Sequence, residues 1–168
     1  MLGNREGRRR QGLFVLGLAL IVLAADQFTK HLVRRFLEEG ESWHLLPSLR
    51  RIFSITHVRN RGAAFGLLPN ADLLFVLVAV VVIVVILFYS RSLSAGELWV
   101  RVSLGLQLGG AVGNLVDRLC FQGYVTDFFA FKPWPTVFNL ADSCIVVGMG
   151  ILVYRLWRNP RGEKFGEG

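Results

Sequence analysis

Four stretches of the chain are apolar over lengths that helices of ordinary globular domains seldom reach. The unbroken one is Leu73–Tyr89, rich in Val and Leu. Its β-branched content suits a strand, but its length does not, and a helix that crosses a bilayer needs about 20 largely apolar residues. The other three stretches are interrupted. Leu13–Phe36 opens with apolar residues and glycines and then admits Asp26, Gln27, Thr29, Lys30 and His31. Leu98–Leu119 carries Arg101, Gln107, Asn114, Asp117 and Arg118, and Phe138–Trp157 carries Asn139 and Asp142 near its start. The pattern predicts an all-α integral membrane protein with four transmembrane helices, over 13–36, 72–89, 98–119 and 138–157, and with a small extracytoplasmic β-region. Arg8, Arg9 and Arg10 before an apolar stretch ending at Ala24-Ala25 also fit a cleavable secretory signal. Such a cut leaves three crossings and falls just before the polar residues of this segment, so a retained helix is expected.

Four crossings put both termini on one side. Arg5, Arg8, Arg9 and Arg10 precede the first, and Arg155, Arg158, Arg161 and Lys164 close the last, which favours cytoplasmic termini even though Arg50, Arg51, Arg59 and Arg61 lie on the opposite side. The chain then divides into a basic cytoplasmic N-terminus (1–12), a membrane domain (13–157) and a cytoplasmic tail (158–168), with extracytoplasmic segments at 37–71 and 120–137. Within the first of these, Ile52–Val58 is rich in β-branched residues and predicts a short strand, bounded by Pro47 and by Arg61-Gly62. Residues 43–49 predict a short helix or turn with Trp43 at headgroup level, and Pro133-Trp134-Pro135 a rigid turn into the last helix. No internal repeat of the kind common in transporters is visible.

Composition agrees with the pattern: 53% of residues are apolar and the mean hydropathy is +0.48. The net charge of +7 sits mostly between the apolar runs, where lipid headgroups and orientation explain it better than nucleic acid does. His31, His44 and His57 are scattered and the two cysteines, Cys120 and Cys144, have no metal-ligand spacing. No metal and no cofactor is implied.

The informative residues are the polar ones inside the apolar segments, since an ionisable group at the bilayer centre costs roughly 2.5–3.5 kcal/mol. They fall at one depth. Asp26 and Lys30 end the first helix on its outer side, Asn114, Asp117 and Arg118 end the third, and Asn139 and Asp142 begin the fourth. Their spacings share faces: Asp26, Thr29 and Lys30 at i, i+3, i+4; Gln107, Gly110, Asn114 and Asp117 at i, i+3, i+7, i+10; Asn139, Asp142 and Ser143 at i, i+3, i+4. Gly105, Gly109, Gly110 and Gly113 allow close helix approach. Any one of these groups serves equally well as an interfacial charge or as interhelical hydrogen-bonding glue, but together they outline a polar pocket at the outer end of a tight bundle. No serine stands in a nucleophile elbow and Cys144 has no evident base. Carboxylates remain. Asp127, in the outer loop within Val125-Thr126-Asp127-Phe128-Phe129, is brought back toward Asp142 by the Pro133–Pro135 turn. Two carboxylates in a poorly solvated pocket share a proton, which gives one acid and one base without a metal.

Taken in order, these motifs resemble the lipoprotein signal peptidases, the signal peptidase II family, over nearly all of 13–157. Asp26-Gln27-Phe28-Thr29-Lys30 is similar to the family's helix-1 motif, Asn60-Arg61-Gly62-Ala63-Ala64-Phe65 to its outer-loop motif, and Gly109–Arg118 to its helix-3 motif. Val125-Thr126-Asp127-Phe128 and Phe138-Asn139-Leu140-Ala141-Asp142 are similar to its two catalytic motifs. Gly66 departs from the serine often found there. The resemblance implies an aspartic endopeptidase of the bacterial inner membrane with Asp127 and Asp142 as catalytic pair. Its substrates would be prolipoproteins whose cysteine already carries diacylglycerol, cut just before that cysteine. Asn60, Asn114, Arg118 and Asn139 would position the substrate or the pair, Gly62 would leave room for backbone to approach, and Asp26, Lys30 and Asp117 would support the pocket. Membrane lipids are the other expected partners, and the chain is expected to act as a monomer. Two rivals predict differently. A proton-coupled carrier relaying protons through Asp26, Asp117, Asp127 and Asp142 needs carboxylates threaded through the membrane, whereas these gather at one end. A non-enzymatic subunit gives Asp127 no task.

Overall fold

In the computed structural model, which describes residues 2–62, 71–91, 93, 97–132 and 136–158, the chain is mostly helical with a small antiparallel sheet. Helix α1 is Leu2–Phe36, α2 is Ala71–Ser90, α3 is Leu98–Cys120 and α4 is Leu140–Arg158. Strands β1 (Ser42–Trp43) and β2 (Phe53–Asn60) lie between α1 and α2, and β3 (Val125–Phe131) and β4 (Val137–Phe138) between α3 and α4. The helices therefore turn one end of the bundle toward the sheet. The expected turn at Pro133-Trp134-Pro135, the motif residues Ala63–Phe65, Gly66, and the basic residues Arg161 and Lys164 lie outside the described residues.

Among the described residues, three helices are long and apolar enough to cross a membrane: Gly12–Phe36, Leu73–Ser90 and Leu140–Arg158. Their large apolar side chains face outward, with Leu20, Leu73, Val81 and Phe88 each more than half exposed, as suits lipid contact. Helix α3 is not among the three, and its place in the bundle explains why. It packs against α1, α2 and α4, so Arg101, Gln107, Asn114 and Asp117 are buried against protein. A helix enclosed by other helices has little need of an apolar surface, because its polar groups meet partners rather than hydrocarbon.

Close packing on α3 comes from its glycines. A methyl group at Gly109 would lie 2.6 Å from the Ala19 carbonyl oxygen of α1. One at Gly110 would lie 2.5 Å from the Ala141 carbonyl oxygen of α4. Both helices thus approach α3 backbone to backbone, as small residues permit. The buried apolar core, Val15, Ala19, Ile86, Leu93, Val100, Leu104 and Leu108, occupies the half of the bundle away from the sheet.

The sheet has order β1-β2-β3-β4, each pair antiparallel. The strand expected at Ile52–Val58 is present as Phe53–Asn60, and a three-residue 3₁₀ turn, Pro47–Leu49, stands in the 43–49 segment. One placement is corrected: Asp127 lies not in a loop but in β3, a strand paired on both sides. β2 pairs with β3 through Val58↔Asp127 and Asn60↔Val125, with an irregularity between Ile55 and Val58. Cross-strand aromatics hold the far end, with Phe53 and Phe131 rings 4.9 Å apart and Phe131 stacked on Phe138 at 5.9 Å.

Substituting Gly110→Val tests the close approach. Overpacking against a backbone carbonyl costs about 1–3 kcal/mol, read as a lower thermal unfolding midpoint in detergent. Gly150→Ala, whose added methyl meets nothing within 4 Å, leaves the midpoint at the wild-type value.

Candidate active site

The start of α4 shows how local sequence places a carboxylate. Asn139 precedes the helix and Asp142 is three residues on, and the two cap each other. The Asp142 backbone N–H donates to Asn139 Oδ1 at 2.9 Å, and the Asn139 N–H donates to Asp142 Oδ2 at 3.2 Å. This reciprocal capping box satisfies two donors at the helix N-terminus and holds Asp142 in one orientation. The second carboxylate arrives from the sheet. Asp127 on β3 is 1% exposed. Its Oδ2 accepts from the Asn60 side-chain amide on the neighbouring β2 at 2.7 Å, and its Oδ1 from the Asn139 amide at 2.6 Å.

Asn114 of α3 joins the two halves. Its Oδ1 accepts from the Asn139 amide at 3.1 Å and from Lys30 Nζ at 2.9 Å, and its Nδ2 donates to Asp142 Oδ1 at 2.7 Å. An ammonium group can only donate. Lys30 therefore fixes which end of the Asn114 amide is oxygen, and leaves the NH₂ for Asp142.

Beneath this lies a buried ionic layer. Lys30, Asp26 and Asp117 are fully buried. Lys30 Nζ lies 2.9 Å from Asp26 Oδ2 and 3.4 Å from Asp117 Oδ2. Asp26 reaches α4 by accepting the Ala141 backbone N–H at 2.9 Å. Asp117 reaches β3 by accepting the Thr126 N–H at 2.9 Å, and so pins the residue next to Asp127. Each buried charge thus has an opposite charge or several donors, as burial demands.

Asp127, Asp142, Asn60, Asn114 and Asn139 form one hydrogen-bonded network. Gly62 adjoins it: its N–H donates to Asn60 Oδ1 at 2.7 Å, and its φ of +77° is one that a side chain would strain. Arg118 adjoins it through a 3.3 Å bond from Nη1 to the Asn114 carbonyl. Other polar residues on the predicted faces go elsewhere. Thr29 bonds back to the Ala25 and Asp26 carbonyls, Ser143 to the Asn139 carbonyl, and Gln107 to Ser103 within α3. Two participants were not anticipated. Gln27 Nε2 donates to Asp117 Oδ1 and to the Gly113 carbonyl, both at 3.1 Å. Arg34 Nη1 donates to Thr126 Oγ1 at 2.9 Å and lies 3.6 Å from Asp117 Oδ1. Gln27 was visible inside the helix-1 motif, and Arg34 stands one turn beyond Lys30. A cavity of about 690 Å³ beside the end of α1, lined by residues 34–39, Glu41 and His57, contains neither carboxylate and belongs to a different surface.

Burial pushes the Asp127 carboxyl up to about 7, and the nearby charge of Asp142 adds to the rise. Hydrogen bonds from Asn60 and Asn139 and the charge of Lys30 oppose it. A carboxyl that exchanges its proton near neutrality beside a second carboxylate supplies a proton donor and a proton acceptor together.

Comparison with known proteins places this arrangement. The family model for signal peptidase (SPase) II matches residues 18–158. The lipoprotein signal peptidase of Halothermothrix orenii is 45% identical over 150 residues, covering 89% of this chain and 97% of its own length. That of Moorella thermoacetica is 49% identical over 147 residues, covering 88% and 94%. Among solved structures, a bacterial membrane enzyme determined by the in meso method at 2.3 Å resolution superposes with a TM-score of 0.78 at 26% identity, covering 92% of this chain and 93% of that one.

The raised Asp127 value has a stability consequence whose sign is fixed. The folded state holds the proton more tightly than the unfolded chain, where the carboxyl has its ordinary value of 3.8. The resulting stabilisation is full below about 3.8, falls as pH rises, and is gone once pH passes about 7. Thermal midpoints measured from pH 4 to 8 are expected to show this decline in the wild type. Asp127→Asn removes that part of the decline. Parallel curves for the two proteins contradict the assignment.

Proposed function

The chain belongs to the signal peptidase II family, and on that premise we propose that Asp127 and Asp142 are its catalytic pair. Members of this family are peptidases, and this chain is a hydrolase that removes signal peptides from prolipoproteins in a bacterial membrane. The observation that carries the proposal is that Asn139 bonds to both carboxylates, its side-chain amide to Asp127 and its backbone N–H to Asp142, while Asn114 ties Asn139 to Asp142; burial beside Asp142 also raises the Asp127 carboxyl to about 7.

In this reading the ionised member of the pair takes a proton from water as the oxygen attacks the scissile carbonyl. The protonated member hydrogen-bonds the carbonyl oxygen as it gains charge. Collapse of the tetrahedral species breaks the C–N bond, and the leaving nitrogen receives a proton from the pair. The bond cut precedes a cysteine that already carries diacylglycerol. Asn60, Asn114 and Asn139 hold the pair and meet the substrate backbone together with Arg118, and Gly62 lets that backbone pass close. Asp26, Lys30 and Asp117 support them.

All four helices cross the inner membrane within a 13–157 membrane domain, α3 among them because its polar residues face the other three. The basic residues at both ends favour cytoplasmic termini, with 1–12 and 158–168 outside the domain on that side. The pair then sits at the extracytoplasmic end, where a diacylglyceryl anchor in the outer leaflet holds the scissile bond. The enzyme works as a monomer among membrane lipids. A proton-coupled carrier is not favoured, since the site carboxylates lie together at one end of the bundle.

The test is cleavage of a diacylglyceryl-modified prolipoprotein by the purified protein in detergent. Wild type is expected to cut before the lipidated cysteine, with or without a chelator. Asp127→Asn and Asp142→Asn, folded by thermal unfolding, are expected to lose roughly 10²–10⁴-fold or more in rate. Full activity in either variant overturns the pair.

A further inference from the structure

Helix α2 is the least polar part of the chain, and its outer end nevertheless touches the site at one residue. Phe75 is half-buried, while its neighbours Leu73, Leu74, Leu77 and Val78 are each more than half exposed. Its ring is turned inward and has two contacts there. The Arg118 guanidinium lies over the ring, 5.3 Å from the centroid. The ring edge lies against Gly62, so closely that a methyl group at Gly62 would stand 2.7 Å from Phe75 Cε2.

Both contacts lead to the carboxylate pair. Gly62 is the end of a turn whose N–H bonds to Asn60 Oδ1, and Asn60 Nδ2 bonds to Asp127 Oδ2. Arg118 bonds to the carbonyl of Asn114, whose amide bonds to Asp142. Gly62 and Arg118 come from distant parts of the chain and meet on this one ring. We propose that Phe75 is a positioning residue that holds the Arg118 guanidinium, and the turn at Gly62, in register with the Asp127–Asp142 pair.

The physical reason is the charge distribution of the ring. Its face is negative and attracts a cation within about 6 Å of the centroid, more strongly where water is excluded. An aliphatic residue at this position satisfies lipid and packing equally well but offers Arg118 no such face. Gly62 is part of the same device, because only a residue without Cβ lets the turn close on the ring. The inference rests on the reading that Arg118 contacts substrate and that the pair is catalytic.

The experiment compares three proteins on the lipidated prolipoprotein: wild type, Phe75→Leu, and the chain carrying pentafluorophenylalanine at position 75. The fluorinated ring keeps its shape and reverses the sign of its face. Both changes are expected to raise KM by about three- to tenfold with a smaller change in kcat, and Phe75→Tyr is expected to restore KM. In an Arg118→Gln background, which removes the cation, the effect of the fluorinated ring on KM is expected to shrink, since the two residues then no longer act as a unit. If wild type cleaves and the fluorinated chain keeps the wild-type KM, the inference is overturned, whatever Phe75→Leu does, and the ring only fills space. If wild type does not cleave, the reading beneath it fails instead.

Discussion

One buried ammonium group holds the site together. Lys30 is wholly removed from solvent and lies within reach of Asp26, Asp117 and Asn114. Burying an ion costs several kcal/mol unless partners replace its water, and removing one partner of a buried pair costs about 3–5 kcal/mol. That constraint makes the arrangement of three helices and one strand interdependent. Asp26 and Lys30 stand one turn apart on α1, and the other Asp26 oxygen meets the Ala141 N–H at the start of α4 only if α1 keeps its present height against α4. Asp117 can face Lys30 only with α3 in place, and its side-chain carboxylate, accepting the Thr126 backbone N–H, then fixes β3. The glycines at 109, 110 and 113 are what let these backbones come near enough.

The same ammonium also orients chemistry it does not touch. By occupying Asn114 Oδ1 it directs the Asn114 amide hydrogens to Asp142, and Asn139, itself part of the α4 capping box, delivers its amide to Asp127. Lys30 meets carboxylates, whereas Asp127 accepts from the neutral amides of Asn60 and Asn139, and Asp142 from the Asn114 amide and the Asn139 backbone N–H. This difference matters. A full positive charge beside Asp127 holds a carboxylate ionised, whereas amides in a buried setting orient it and leave its proton exchangeable near neutrality. The layer of charge below and the layer of amides above are thus two parts of one device, with Lys30 stabilising the geometry and the asparagines transmitting it.

Much of this was legible in the sequence, for physical reasons. Polar residues in apolar helices are conspicuous because they are costly, so Asp26, Lys30, Asn114, Asp117, Asn139 and Asp142 announced themselves, and their common depth gave the pocket. β2 was legible from its β-branched run. β3 was not: Val125, Thr126, Asp127 and Phe128 are all buried, so the strand has no alternation of polar and apolar positions to read, and Asp127 looked like a loop residue. Its aromatic content was the available signal. The stretch over 98–119 was read as a crossing despite its polar residues, and it forms α3, whose polar side chains are buried against α1, α2 and α4. Phe75, by contrast, was invisible. In a run as uniform as Leu73–Tyr89 every position reads alike, and only the fold turns one ring inward. Gln27 and Arg34 are polar residues whose partners lie on other elements, and spacing within α1 does not identify them.

The central claim is that Asp127 and Asp142 hold one exchangeable proton between them at neutral pH. Infrared difference spectroscopy of the purified protein, titrated from pH 5 to 9, reads that proton directly through the stretch of a protonated carboxyl group. The account predicts such a band at pH 6 that fades as pH passes about 7 and is missing from Asp127→Asn throughout. A wild-type spectrum with no protonated carboxyl at pH 6, or a band that Asp127→Asn leaves unchanged, contradicts it.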